Sequence, residues 1–205
     1  MSVRFITSNK DKQAEFSRIV DSIDGIDKMR DEYFDIRYIT MDSTEIQGTV
    51  EEISMDKCKQ FVKWSITDPY LLNDKGVLCE DVSLEFDAMG GLPGPYIKYF
   101  NEELGSRGLW NMVHGYSHEH TAVATCVYTY YDFESSKYTQ FVGKSEGTIV
   151  SPRGEYNIGW DEIFEPSGQS LTFAEMTRVV KDNYSHRADA VKQFIEFFKL
   201  RYLKE

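Results

Sequence analysis

The chain is poor in several features that mark large protein classes. It has three cysteines, Cys58, Cys79 and Cys126, an odd count with no pair at metal-ligand spacing. A disulfide scaffold or a zinc ribbon is therefore a poor reading, and three buried, reduced thiols in an intracellular protein are expected. Prolines number five, and two fall in one short loop, so no proline-rich linker interrupts the chain. No stretch approaches the roughly 20 apolar residues needed to cross a bilayer. The first residues, Met1-Ser2-Val3-Arg4-Phe5-Ile6-Thr7, turn polar too soon for a signal peptide, which points to the cytoplasm. Positive charge is scarce: 23 Lys and Arg stand against 34 Asp and Glu, a net charge of −11. A polynucleotide, which is gripped through its phosphates, is a poor partner for such a chain. One small anion stays open as a ligand, wherever a few cations converge or a metal bridges.

Aromatic and apolar residues are plentiful. Thirteen Phe and thirteen Tyr contribute to an apolar share of 41%, enough for a substantial core in 205 residues. Residues 3–8 read as a buried strand. Residues 10–23 read as a helix, with Phe16, Ile19, Val20 and Ile23 three and four apart. Residues 35–40 alternate as a strand, and 50–64 form a second helix. Residues 76–79 read as a short strand delivering Glu80 and Asp81 at its end. Helices are predicted over 96–104, opened by Pro95, and over 109–113. Residues 121–131 and 138–149 are rich in Val, Thr, Tyr and Phe and read as long strands. A helix over 172–181 precedes a last one capped by Ser185, with a stripe of Ala188, Val191, Phe194 or Ile195, and Phe198. The order predicts an α/β fold with a central mixed sheet flanked by helices, the middle strands extending it as a second lobe.

Five segments carry polar residues that a core does not need. Thr7-Ser8-Asn9-Lys10-Asp11-Lys12 lies where the first strand gives way to a helix, and its backbone N–H groups and lysines suit an anion. It lacks the glycines and the Lys-Ser/Thr ending of a Walker A loop, and alone it reads better as an N-cap with solvated lysines. Glu45 and the pair Glu80-Asp81 are hard oxygen ligands, and adjacent carboxylates crowd each other unless a cation or proton separates them. Gly90-Gly91-Leu92-Pro93-Gly94-Pro95 forces an unusual backbone path and precedes Lys98 by one turn. Gly159-Trp160-Asp161 puts an indole beside a carboxylate, which suits a purine as well as a core turn. Lys181-Asp182-Asn183-Tyr184-Ser185-His186-Arg187 gathers cations at a helix start, where His186 and Arg187 can donate to a carbonyl or a phosphate. The other histidines, His114, His118 and His120, lack zinc-site spacing, and their role is open.

In order and spacing these segments resemble the inosine triphosphate pyrophosphatase family, from Phe5 to about Val191. The likeness is greatest to its eukaryotic branch, through Glu80-Asp81, the run from Gly91 to Lys98, Pro152-Arg153-Gly154, Ala174-Glu175-Met176 and Ser185-His186-Arg187. The resemblance implies one pyrophosphatase domain over 1–205, an elongated two-lobed α/β fold with a nucleotide cleft between lobes, and a homodimer. It implies cleavage of inosine, deoxyinosine and xanthosine triphosphates to a monophosphate and pyrophosphate, with magnesium or manganese. By it, Thr7, Asn9 and Lys12 contact the triphosphate, and Ser8, Lys10 and Asp11 shape that loop. Glu45, Glu80 and Asp81 hold the metal, and Asp81, supported by Glu80, helps activate water. Lys57 and Lys98 serve the phosphates. Ile158, Gly159, Trp160, Asp161, Lys181, Ser185, His186 and Arg187 recognise the base.

Three positions depart from the family pattern: Val82 where Ser or Thr is usual, Thr49 where an acid is usual, and Ile158 where a stacking Phe is frequent. Val82 and Ile158 leave room for a regulatory protein that binds nucleotides without turnover, which the retained Glu45, Glu80 and Asp81 oppose. A Maf-like pyrophosphatase for modified pyrimidine nucleotides is the other alternative, opposed by the Ser-His-Arg segment and the Gly-Leu-Pro-Gly-Pro loop.

Overall fold

The computed structural model describes residues 2–27, 35–67, 74–116, 120–155 and 158–202. His118 and the loop expected around it lie outside this set. The strands are β1 (Ser2–Ile6), β2 (Asp35–Ile39), β3 (Asp74–Phe86), β4 (Pro93–Gly94), β5 (Thr121–Asp132), β6 (Lys137–Ile149) and β7 (Phe164–Pro166). The helices are α1 (Lys10–Asp21), α2 (Val50–Thr67), α3 (Ile97–Val113), α4 (Arg178–Lys181) and α5 (His186–Tyr202). Seven strands make one sheet, in the order β2-β1-β3-β5-β6-β7, with β4 paired to β3. β1 runs parallel to β2 and β3, whereas β3–β4 and β6–β7 are antiparallel. The expected mixed α/β sheet is therefore present.

The chain forms two compact units: residues 1–81, 127–142 and 190–205 in the first, and 82–126 and 143–189 in the second. Strand alternation organises the first unit. Ile6, Val77 and Cys79 cluster with Cys58, Phe61 and Val62 of α2 on one face. Phe5, Tyr128 and Tyr130 meet Phe16 of α1 and Phe194 and Phe198 of α5 on the other, with ring centroids 5.0–6.3 Å apart. All three cysteines are free and buried, as expected. The second unit has its own core, in which Leu84, Phe86, Leu109, Ala124, Trp160, Phe164, Phe173 and Met176 take part.

Three predicted elements are corrected. The strand at 76–79 extends from Asp74 to Phe86, so Glu80 and Asp81 lie in mid-strand. Beyond them Leu84 and Phe86 are buried, and Leu84 and Glu85 pair with Gly94 and Pro93. The helix at 172–181 shrinks to Arg178–Lys181. Thr172 and Glu175 close a turn on each other, side chain to backbone N–H in both directions, and Thr177 caps a fresh start by accepting from Val180 N. Finally, Pro95 does not open α3, which begins at Ile97. The two helices expected over 96–104 and 109–113 are both present, one on each side of the non-helical Gly105 (φ 62°, ψ 176°) within this span.

Candidate active site

The parallel strand β1 ends at Ile6, and the chain turns at once into α1. Asn9 caps that helix, its Oδ1 accepting from Asp11 N at 2.9 Å and Lys12 N at 3.0 Å. Thr7 Oγ1 accepts from Asn9 N at 3.2 Å. Ser8, Asn9, Lys10 and Asp11 are exposed, as a loop that meets a solvent-borne anion must be. Lys12 is half-buried and turns inward, its ammonium 3.3 Å from Glu80 Oε1. The expected N-cap is thus present, and it is joined to an acid from the middle of the sheet.

Glu80 and Asp81 do not crowd each other. Successive residues of a strand face opposite sides of a sheet, and the contacts follow that rule. Glu80 meets Lys12 of α1, and its Oε2 accepts from the phenol of Tyr128 at 2.7 Å. Asp81 meets Lys57 of α2, with Nζ 2.7 Å from Oδ1. The same ammonium lies 3.1 Å from Glu45 Oε1. Of the three acids expected on the metal, Glu45 and Asp81 meet at Lys57, whereas Glu80 meets Lys12. Lys57, expected on the phosphate side, is here clamped between two carboxylates.

Burial sets the electrostatics of this group. It pushes the Asp81 carboxyl above its ordinary range. The charges of Lys57 and Lys12 pull the other way without cancelling it, and Glu45 adds to the rise. Burial also weighs on the Lys57 ammonium. Asp81 and Glu45 together outweigh that burden and hold its pKa above the ordinary lysine value. Asp81 Oδ2 is buried and accepts no hydrogen bond among the described residues. An anionic oxygen left bare in a low dielectric is costly, and a further cation could satisfy it. Among the described residues no three His, Cys, Asp or Glu side chains form a metal cage. Magnesium does not require one: it is usually held by one or two carboxylates and completes its shell with water and phosphate oxygens. Glu45 and Asp81 fit that pattern.

Thr49, one of the unusual positions, has a structural use. Its N–H donates to Glu52 Oε2 at 2.9 Å and its Oγ1 accepts from Glu52 N at 3.2 Å. This reciprocal pair starts α2, the helix that carries Lys57. Val82 is half-buried against the core of the second unit.

The second unit gathers the remaining candidates. His186 stacks on Trp160, with centroids 5.4 Å apart and planes at 28°, and lies 6.3 Å from the Phe173 ring. Lys181 Nζ is 2.6 Å from Asp161 Oδ2, both side chains 5% exposed, and it sits 5.3 Å over Phe173. Ser185 caps α5, accepting from Ala188 N at 3.0 Å, and His186 and Arg187 behind it are buried. Buried charges are costly unless paired, and the Lys181–Asp161 contact supplies such a pair. Ile158 is half-buried and Gly159 exposed, beside that group in sequence. Lys98 is exposed, with its ammonium 5.6 Å over the Tyr99 ring. Sequence reasoning missed Phe173 and Tyr128. Nothing in their local pattern separates them from ordinary core aromatics.

The motifs around Arg153 and Glu175 also meet. Arg153 bridges Glu165 at 2.5 Å and Glu175 at 3.1 Å. Gly154 takes φ +100°, and a Cβ there would lie 2.5 Å from the Ala174 carbonyl carbon. The Thr172 backbone N–H, and after it Arg153, hold Glu175 below the ordinary glutamate range. A depressed carboxyl pKa contributes stability above the unfolded value, lost as pH falls through the folded one. Glu175→Gln should therefore be less stable than the parent at pH 7, and the gap should close below about pH 4. Urea unfolding midpoints at both pH values measure it, and a gap independent of pH contradicts it.

Comparison with known proteins agrees with this picture. The profile of the Ham1 family matches residues 3–197. An inosine triphosphate pyrophosphatase of Emericella nidulans is 42% identical over 190 residues, covering 93% of this chain and 92% of its own. One of Yarrowia lipolytica is 40% identical over 197 residues, covering 96% and 95%. Among solved structures, the Ham1 protein of Staphylococcus aureus superposes with a TM-score of 0.77 at 23% identity, over 98% of this chain and 100% of that one. That of Coxiella burnetii gives 0.78 at 20% identity, over 97% and 98%. At those identities the structures speak for the fold.

Proposed function

The chain belongs to the Ham1 family, and from that premise we propose that it is a nucleoside-triphosphate pyrophosphatase acting on noncanonical purine nucleotides. Its substrates are the triphosphates of inosine, deoxyinosine and xanthosine. One water is consumed, and the bond between the α and β phosphates gives way to a nucleoside monophosphate and pyrophosphate. The observation that carries the reading is the Glu45–Lys57–Asp81 group with its bare buried carboxylate oxygen, in a chain whose close relatives are inosine triphosphate pyrophosphatases.

In this reading Glu45 and Asp81 hold magnesium, or manganese in its place. Such an ion neutralises phosphate charge and polarises water. The protein's own groups do the rest. The N-terminus of α1 and Lys12 receive the phosphates, with Thr7 and Asn9 shaping the turn. Asp81, anchored to Lys57 through one oxygen, orients and helps activate the attacking water. Lys57, already in contact with Asp81, turns to the phosphate charge once nucleotide arrives. Phosphoryl chemistry of this kind needs positioning and charge stabilisation more than covalent catalysis.

Trp160, His186 and Arg187 recognise the base together with the Lys181–Asp161 pair. Donors directed to a 6-keto oxygen are left unpaired by the 6-amino group of adenine, at about 1–3 kcal/mol for each unsatisfied group. A homodimeric state and a cytoplasmic location belong to the same reading, the latter supported by three free buried thiols.

The test is pyrophosphate release from inosine, xanthosine, adenosine and guanosine triphosphates, with magnesium and with a chelator. Fast release from the first two, little from the others and none with the chelator is the expected pattern. Equal rates on all four contradict the base reading. Tight binding without turnover favours the regulatory alternative.

A further inference from the structure

Tyr128 lies in β5, beside β3 in the sheet, and none of its side chain reaches solvent. Its ring is wedged between Phe5 and Phe16, each 5.6 Å away by centroid. Phenylalanine would fill that space equally well. The hydroxyl therefore needs a separate reason, and its bond to Glu80 Oε2 at 2.7 Å supplies one. Glu80 is itself 4% exposed, and a buried carboxylate must be satisfied by donors. Its other oxygen faces the Lys12 ammonium at 3.3 Å, the one ion pair Lys12 makes among the described residues. Lysine ends in a compact charge on a flexible four-carbon stem, so it holds a place only where something holds it.

We propose that Tyr128 is a positioning residue for hydrolysis: its hydroxyl locks Glu80, and through Glu80 it fixes the Lys12 ammonium at the start of α1. This rests on the function proposed above. The relay runs core to surface. Phe5 and Phe16 fix the Tyr128 ring, the ring fixes the hydroxyl, the hydroxyl fixes one carboxylate oxygen, and the other oxygen fixes the lysine. A cation placed in advance stabilises charge developing on the phosphates without reorganising during the reaction. A lysine that must first be found and frozen still binds nucleotide but serves the transition state less well. The loss should thus fall on kcat rather than KM.

A double-mutant cycle tests this. Tyr128→Phe should lower kcat on inosine triphosphate by about tenfold and change KM by less than about threefold, while the fold survives with a melting temperature lower by only a few degrees. In a Glu80→Gln background the same substitution should change the single-turnover rate by less than about twofold. A second readout needs no turnover. After reductive ¹³C-methylation of the lysines, the Lys12 signal in Tyr128→Phe should narrow and move toward that of a free lysine. Equal losses in both backgrounds, a wild-type rate in Tyr128→Phe, or an unaltered Lys12 signal each overturn the relay. Failure of the wild-type protein to release pyrophosphate from inosine triphosphate overturns the enzymatic reading itself, whatever the Lys12 signal shows.

Discussion

Asp81→Asn should lower kcat by on the order of 10³-fold while the melting temperature stays level or rises. Asp81 occupies the junction of the proposed chemistry. One oxygen meets Lys57, the other is bare, and burial has raised its pKa. The amide keeps the shape and removes both the charge and the proton-accepting capacity. Stability should move the other way because a raised carboxyl pKa means that folding disfavours the ionised form. The ionised carboxylate then costs stability at pH 7, and the cost fades as pH falls through the folded pKa. Lys57 keeps Glu45 as its partner in the variant. Turnover and thermal unfolding measured together decide the matter. Wild-type turnover would remove Asp81 from the mechanism, and collapse of the fold would make its role structural.

The second large effect concerns the base cluster. Lys181→Met should cost about 3–5 kcal/mol, because it breaks a buried ion pair by removing only one of its charges. Lys181 and Asp161 are both 5% exposed and 2.6 Å apart. For a chain of this size that corresponds to a fall of roughly 6–20 °C in melting temperature. The pair Asp161→Asn with Lys181→Met should recover most of it, since both charges of the pair are then removed together. Recovery of the fold without recovery of inosine triphosphate turnover would separate stability from recognition. A single variant that melts like the parent would show that the pair is not the buried link described.

Much of the fold was legible because the patterns are local. Phe16, Ile19 and Val20 mark one side of α1, and all three are buried. Ala188, Val191, Phe194, Ile195 and Phe198 do the same for α5. Ser185 and Asn9 announced their caps through residue type and position. The misreadings fall where a long-range contact overrides a local signal. β3 runs on past Asp81 because Leu84 and Glu85 find partners in the Gly-Leu-Pro-Gly loop. The stretch at 172–177 leaves the helix because Thr172 and Glu175 close a turn that Arg153 also holds.

The sequence by itself determined the mixed α/β class, the family, and the segments that supply lysines, carboxylates and the indole-histidine pair. These depend on residue type, period and order along the chain, and each can be read without knowing what lies opposite. Only the tertiary structure decided which acid meets which lysine. Glu80 and Asp81 are neighbours in the chain, yet the pleat of β3 sends one toward α1 and Tyr128 and the other toward α2 and Glu45. That assignment depends on which helix covers which face of the sheet, and packing settles it across dozens of intervening residues.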